Sequence, residues 1–267
     1  MDNRYPYRKG FLMFQSEYKI QSITQLNPTT YSLVLECAEL AAESWCGRFV
    51  NIRCGEKPLR RPISISEINK ENGTITLVFE VRGEGTEWLS TRGAGEKLDV
   101  LGPLGNGFFP DSAKRAIFIG GGIGCPPMLG AAQEYGENAE AILGFRSATQ
   151  IILLDKFKAC CQSVDVTTND GSFGVRGFVT DVLADKLSEN KDCVVYACGP
   201  MPMLKGVAQM CAQNDVQCFV SLEQRMGCGV GACLVCACKT HEADGEHMRH
   251  VCKNGPVFDA KEVDFGG

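Results

Sequence analysis

A change of hydrophobic pattern near residue 113 constrains this chain more than any other feature. Before it come short β-branched runs: TYSLVLE (Thr30–Glu36), GRFVNIR (Gly47–Arg53), RPISIS (Arg61–Ser66) and TITLVFEV (Thr74–Val81). Gly, Pro, Asn and Lys separate them, and Asn72-Gly73 is a hairpin turn signal. Several such strands in series predict a small antiparallel barrel or sandwich. Thr86–Gly93 reads as a short helix stopped by glycine, and KLDVLGP as one more strand. After residue 113, apolar strands alternate with helical segments. RAIFIGGG (Arg115–Gly122), AEAILGF, CVVYACGP (Cys193–Pro200) and VQCFVSL (Val216–Leu222) are buried-strand candidates. PPMLGAAQEYG, GFVTDVLADKL and MPMLKGVAQMCAQN have helical spacing. That alternation predicts a parallel sheet with crossover helices. The expected fold is therefore mixed β and α/β, in three parts: a β-barrel over 1–110, a Rossmann-like unit over 111–222, and a small segment over 223–267.

Composition excludes several classes. Of 267 residues, 44% are hydrophobic and 22% charged, enough apolar material for a packed core. The net charge of −5 leaves nothing basic to neutralise a nucleic-acid backbone. Apolar stretches fall short of the roughly 18 residues a membrane span needs. The start, MDNRYPYRKGFLMF, has no secretion-signal core, so the expectation is a cytoplasmic protein without nucleic-acid or membrane partners.

There are 15 cysteines, an odd number in a long chain, which favours thiols or metal ligation over a disulfide framework. Ten are scattered, and scattered cysteines are most often small buried hydrophobes. Five crowd between Cys228 and Cys252. There the order is Cys228-x4-Cys233-x2-Cys236, then Cys252, the spacing of plant-type 2Fe–2S proteins. Three thiolates on one loop need a backbone that turns sharply, and Gly227, Gly229 and Gly231 permit it. Their amides can point at the sulfurs. A structural zinc site is the bland alternative, but it favours two close cysteine pairs, and here there is one. Cys238 is read as a non-ligand. His241, His247 and His250 lack the paired arrangement of a Rieske site and are read as surface residues.

Two glycine signals follow strands in the second part. Gly120, Gly121, Gly122, Ile123 and Gly124 join a strand to a helix, where phosphate binds in α/β units. The pattern is not a strict G-x-G-x-x-G, since Cys125 takes a glycine position. Cys198-Gly199-Pro200 ends another buried strand at the same sheet edge. In the β region, Arg60 and Arg61 are consecutive cations in an apolar pattern. They read either as a solvated strand end or as an arginine gripping a pyrophosphate, with Ser64 facing a ring. Gly85-Thr86 opens a helix, a second place for phosphate.

With these motifs in order, the chain resembles the ferredoxin–NADP reductase superfamily over roughly residues 14–265. The closing EQRMGCGVGACLVCACK and VCKNGPVF resemble the electron transfer subunits of type B dihydroorotate dehydrogenases. The resemblance implies that FAD is held by Arg61, Pro62, Ile63, Ser64, Val78, Phe79, Glu80, Gly85 and Thr86. It implies a nicotinamide dinucleotide at Gly120, Gly121, Gly122, Gly124, Cys198, Gly199 and Pro200, with Ser64 near the flavin N5 and Cys198 near the nicotinamide. It implies a 2Fe–2S cluster on Cys228, Cys233, Cys236 and Cys252. The barrel is then FAD-binding, the middle unit NAD-binding, and the last segment cluster-binding. No side-chain acid or base is required. The expected function is electron transfer between an FMN-containing catalytic subunit and NAD, two copies of each chain forming a heterotetramer in pyrimidine (UMP) biosynthesis. Related subunits of ferredoxin:NADP oxidoreductases or sulfide dehydrogenases are the alternative. Some of those carry aspartate at the first cluster position, where this chain has Cys228. A zinc-binding interaction module is the remote one. Arg146-Ser147 leaves NADP open beside NAD. Residues 1–12 extend past the usual start, which makes Met13 a candidate initiator.

Overall fold

A computed structural model describes residues 12–109 and 114–266. The question of a native start at Met13 concerns residues 1–12, of which 1–11 lie outside those described.

The first part comprises β1 (Phe14–Gln25), β2 (Thr30–Glu36), α1 (Ala38–Glu43), β3 (Phe49–Ile52), β4 (Arg61–Asn69), β5 (Thr74–Glu80), α2 (Glu84–Ser90) and β6 (Lys97–Leu104). The strands close into an antiparallel barrel in the order β1-β2-β5-β4-β3-β6. Period-two alternation fills it: Leu33 faces Leu77 and Leu35 faces Ile75 across β2 and β5, all fully buried. Two strands break that alternation. Every residue of β3 is buried, and on β5 Val78 is buried between its inward-facing neighbours. Val50 and Ile52 fill the barrel, whereas Phe49 packs with the later parts of the chain. The outer wall at β3 and β5 is thus covered rather than solvated.

The second part comprises β7 (Arg115–Gly121), α3 (Cys125–Tyr135), β8 (Ala139–Phe145), α4 (Leu154–Cys160), β9 (Ser163–Thr168), β10 (Val175–Arg176), α5 (Val179–Glu189), β11 (Cys193–Cys198), α6 (Met201–Gln213) and β12 (Gln217–Ser221). Then follow β13 (Ala237–Glu242), β14 (Gly245–His250) and β15 (Val257–Asp259). The large sheet runs β10-β9-β8-β7-β11-β12-β15, parallel except for β15. An aromatic ladder crosses it: Tyr196 stacks on Phe118 at 5.1 Å and on Phe219 at 5.6 Å. Phe108, leaving the barrel, meets Tyr196 edge-on at 5.5 Å and ties the two parts together. Prolines 126 and 127 sit in the first turn of α3, where a missing N–H costs nothing.

The segment expected as 223–267 is less separate than its sequence suggests. Its polar hairpin, β13 with β14, stands apart, but β15 completes the edge of the large sheet against β12. Asn106 fastens it further, donating from its side chain to the Asn254 carbonyl at 3.0 Å and from its backbone to Gly255 at 2.6 Å.

Candidate functional site

The chain reverses its direction of sheet growth between β7 and β11, and ligands bind α/β sheets at such a crevice. The loops after β7, β8, β9 and β11 all reach it. They line a cavity of about 840 Å³ that includes Gly121, Gly122, Arg146, Asn169, Gly199 and Pro200. Gly122 has φ +54° and open space beyond its Cα, so the backbone there is bare to a ligand. The other expected glycines serve packing. A Cβ on Gly124 would collide with the Cys198 carbonyl oxygen, and one on Gly120 would meet Cys125 Cα and Sγ at 2.8 Å. Cys125, fully buried, therefore replaces the missing glycine without entering the cavity.

A second cavity, of about 210 Å³, lies between barrel and sheet. Pro62, Ile63, Ser64, Val78, Phe79, Glu80 and Thr86 line it. So does Cys198, which the sequence placed beside the nicotinamide. Its wall is shared with Ser64 rather than with Gly199 and Pro200, and burial pushes its thiol well above the ordinary value. The two arginines part company. Arg60 turns to Asp99 at 2.7 Å and to the Asn51 carbonyl at 3.3 Å. Arg61 lies across the start of α2, where a Cβ on Gly85 would come 2.5 Å from its Nε. Thr86 Oγ1 already accepts the Arg82 N–H at 2.9 Å, so the hydroxyl shapes the turn.

Sequence reasoning named Glu80 but missed the rest of the junction. Glu80, Arg82, Ile123 and Glu223 line both cavities. Arg82 Nε donates to Glu80 at 2.6 Å and its guanidinium faces Glu223 at 4.0 Å. Burial lifts the Glu223 carboxyl above its ordinary value. Neither Arg82 nor Glu223 belongs to a periodic or spaced pattern, so no local signal marks them.

The cysteine loop reaches the same place. Met226 lines the smaller cavity, two residues before Cys228. Five backbone N–H groups point at the four sulfurs. Val230 and Ala232 donate to Cys228 Sγ at 3.3 and 3.2 Å, and Cys228 donates to Cys233 Sγ at 3.3 Å. Gly231 donates to Cys252 Sγ at 3.1 Å, and Cys252 to Cys236 Sγ at 3.5 Å. Gly229 (φ +78°) and Gly231 (φ +82°) make that geometry possible, and Leu234 joins them at φ +61° despite its side chain. Burial works against ionisation of Cys228, but those amide donors outweigh it and hold the thiol down at about 6. Cys252 is pushed up to about 12, by burial first and by Cys236 second.

The sulfurs fall into two pairs, Cys228 with Cys233 and Cys236 with Cys252. Among the described residues, no three of them come within 4.8 Å of one another. A tetrahedral zinc with bonds near 2.3 Å would draw all four sulfurs to about 3.8 Å apart. Four thiolates in two pairs fit a two-iron cluster instead. Cys238 lies outside this set, on β13 opposite Arg249. Of the histidines, His247 bonds Asp244 at 2.8 Å and His241 is exposed beside Glu246 and Asp264.

Comparison with known proteins agrees. Residues 223–264 match the iron–sulfur cluster binding domain of dihydroorotate dehydrogenase B, and residues 118–209 match the oxidoreductase NAD-binding domain. The chain is 39% identical over 258 residues to the dihydroorotate dehydrogenase B (NAD(+)) electron transfer subunit of Shouchella clausii, covering 93% of this chain and 98% of that one. It is 42% identical over 221 residues to the subunit of the same name from Caldanaerobacter subterraneus, covering 82% and 87%. The chain belongs to this family of electron transfer subunits. A solved NADH-dependent reduced ferredoxin–NADP oxidoreductase, described for flavin-based electron bifurcation, shares the fold with a TM-score of 0.84 at 29% identity, covering 93% and 90%. Membership makes the chain an oxidoreductase component, with a cluster-binding domain at its end and an NAD-binding domain in its middle. No described helix is long and apolar enough to cross a membrane.

Proposed function

We propose that the two cavities and the cysteine loop form one electron relay, with NAD in the larger cavity, FAD in the smaller and a 2Fe–2S cluster on Cys228, Cys233, Cys236 and Cys252. FAD exchanges a two-electron hydride for single electrons, and the cluster carries one electron at a time. The chain's own residues bind, orient and insulate. Arg61, laid over the start of α2, offers a fixed cation to a pyrophosphate, beside the Gly85-Thr86 turn. Pro62, Ile63, Val78 and Phe79 would give a flavin ring apolar walls, and Ser64, in the same wall, would face its N5 edge. Gly121 and Gly122 admit the dinucleotide to the backbone, while Gly199 and Pro200 wall its nicotinamide end. Gly120 and Gly124 bring the two loops together. Cys198, buried and held protonated, acts as a wall between the rings rather than as an acid or base.

The single observation that carries this reading is contiguity. The cavities share Glu80, Arg82, Ile123 and Glu223, and Met226 joins the smaller one to the cluster loop. In the physiological direction, dihydroorotate loses two electrons and two protons on a partner chain to become orotate. NAD takes the two electrons with one of those protons, and the other goes to solvent. That partner is an FMN-containing catalytic subunit, two of each chain assembling in the cytoplasm for pyrimidine synthesis. NAD rather than NADP is the expected nucleotide, as in the relatives' names.

The test is the visible spectrum of anaerobically purified protein with iron, sulfide and flavin counted. Flavin bands over a broad iron–sulfur absorption, bleached by NADH, are expected. A colourless protein holding zinc would overturn the relay.

A further inference from the structure

Asn51 is the one polar side chain on β3, and it is 0% exposed. Neither its Nδ2 nor its Oδ1 has a hydrogen-bond partner. Burying both ends of an amide unpaired costs roughly 1–3 kcal/mol per group, and folded proteins seldom tolerate it without a reason. The chain could have placed an aliphatic residue there, as it does next to it with Val50 and Ile52. The surroundings of the amide suggest the reason. Its Nδ2 lies against Gly229, so close that a Cβ on that glycine would come within 2.7 Å of it. Gly229 sits between Cys228 and Cys233, on the loop whose amides point at the four sulfurs. Within β3, Phe49 two residues earlier shares an apolar group with Cys236 and Cys252, and it also lines the smaller cavity. Pro62, paired with Asn51 across β4, lines that cavity too. Asn51 thus has cavity-lining residues beside it on β3 and β4 and the cysteine loop against its amide.

We propose that the Asn51 amide N–H donates a hydrogen bond to the anionic sulfur held by this loop, cluster sulfide or ligand thiolate, and so sets the reduction potential of the cluster from the barrel side. The inference rests on the cluster reading above. Hydrogen bonds to sulfur stabilise the more negative, reduced state and raise the potential. The five backbone donors come from the loop itself and from Cys252, whereas Asn51 would be a donor supplied by the flavin-facing barrel. It is a positioning residue, since its effect passes through the cluster.

Asn51→Leu removes the amide and keeps the branched outline of the side chain, though with bulkier ends. In the full-length protein loaded with cluster, the reduction equilibrium measured by EPR-monitored redox titration is expected to fall roughly tenfold, which for one electron is about 59 mV more negative. The metal-free form should be as stable as the metal-free parent or more so, because the amide has no partner there. A purely structural asparagine would show the reverse: an unmoved potential and a weakened metal-free protein. Asn51→Asp keeps the shape, loses the donor and should also lower the potential. Unchanged potential and EPR signal in either loaded variant overturns the proposal, as does a bridging water that leaves the potential where it was. If neither variant loads a cluster while FAD content and metal-free stability match the parent, the amide is needed for assembly and the proposal stands in stronger form. If neither loads because the metal-free chain no longer folds, the proposal falls. Absence of a cluster signal in the unaltered protein would instead sink the relay reading itself.

Discussion

The loop at 120–124 and the loop at 227–236 are both rich in glycine, but they need it for different reasons. In the first, Gly120 and Gly124 lack a Cβ because other parts of the protein occupy its place, the Cys125 backbone and the Cys198 carbonyl. Only Gly122 is in the left-handed region there, at φ +54°. In the second, Gly229 and Gly231 are both left-handed, at +78° and +82°, and the result is a set of N–H groups aimed at sulfur. The first loop is shaped by what the protein already contains, and the second, on the proposed reading, by the cluster its four cysteines would hold. Packing alone should therefore keep the first in place, whereas the second should depend on its cargo.

The sharpest way to break this contrast is to remove the cargo. Cys252→Ser replaces a buried thiol, proposed as a cluster ligand, that accepts the Gly231 N–H. Iron and sulfide should fall to background, and electron delivery to a catalytic partner should be lost. NADH should still reduce bound flavin, because no wall of either cavity includes Cys252. Hydrogen exchange should rise across 227–236 and stay unchanged at 120–124. Equal loosening of both loops would show that the first is not held by packing alone.

Substitution in the first loop should cost stability without touching the cluster. Gly124→Ala forces a methyl into the Cys198 carbonyl, which is backbone and cannot swing aside, so about 3 kcal/mol or more of unfolding free energy should be lost. Urea unfolding measures it. Gly122→Ala meets open space and carries only the left-handed penalty, about 1 kcal/mol. Its methyl projects where the dinucleotide approaches, so KM for NADH should rise even though the fold survives. Should Gly122→Ala prove the more destabilising of the two, close packing is not what fixes this loop.

The same contrast explains what could be read without coordinates. Strands β5, β7, β8 and β11 were legible because continuous or alternating apolar residues have few alternatives to a buried strand. The cysteine spacing was legible because ligand geometry imposes a fixed interval. Hairpin β13–β14 was not, since its residues are mostly polar and half-buried or exposed and leave no hydrophobic period. Strand β15 is three residues long, and its place at the sheet edge comes from pairing with β12, which no local pattern encodes. Cys198, expected beside the nicotinamide, lines the smaller cavity, because the end of a strand can face either of two cavities that meet there. Arg82, Glu223 and Asn51 matter through neighbours distant in sequence, and each looks ordinary in its own window.

The finest test asks whether the second loop aims its amides before any metal arrives. In metal-free protein, Cys228 is held at about 6, against 9.0 for an ordinary thiol, although burial opposes this. The sign follows: a depressed thiol contributes its stabilisation fully above pH 9, and the contribution fades as pH falls through 6. Iodoacetamide labelling of Cys228, followed by peptide mass mapping, should therefore show a midpoint near pH 6. Cys252, pushed up to about 12, should stay unlabelled through pH 9. Oxidative loss of these thiols must be excluded by working anaerobically. A Cys228 midpoint near 9 would mean that the amides turn toward sulfur only when iron is present. The difference between the loops would then be larger than the structure alone conveys, with the first formed by packing and the second formed entirely by its cluster.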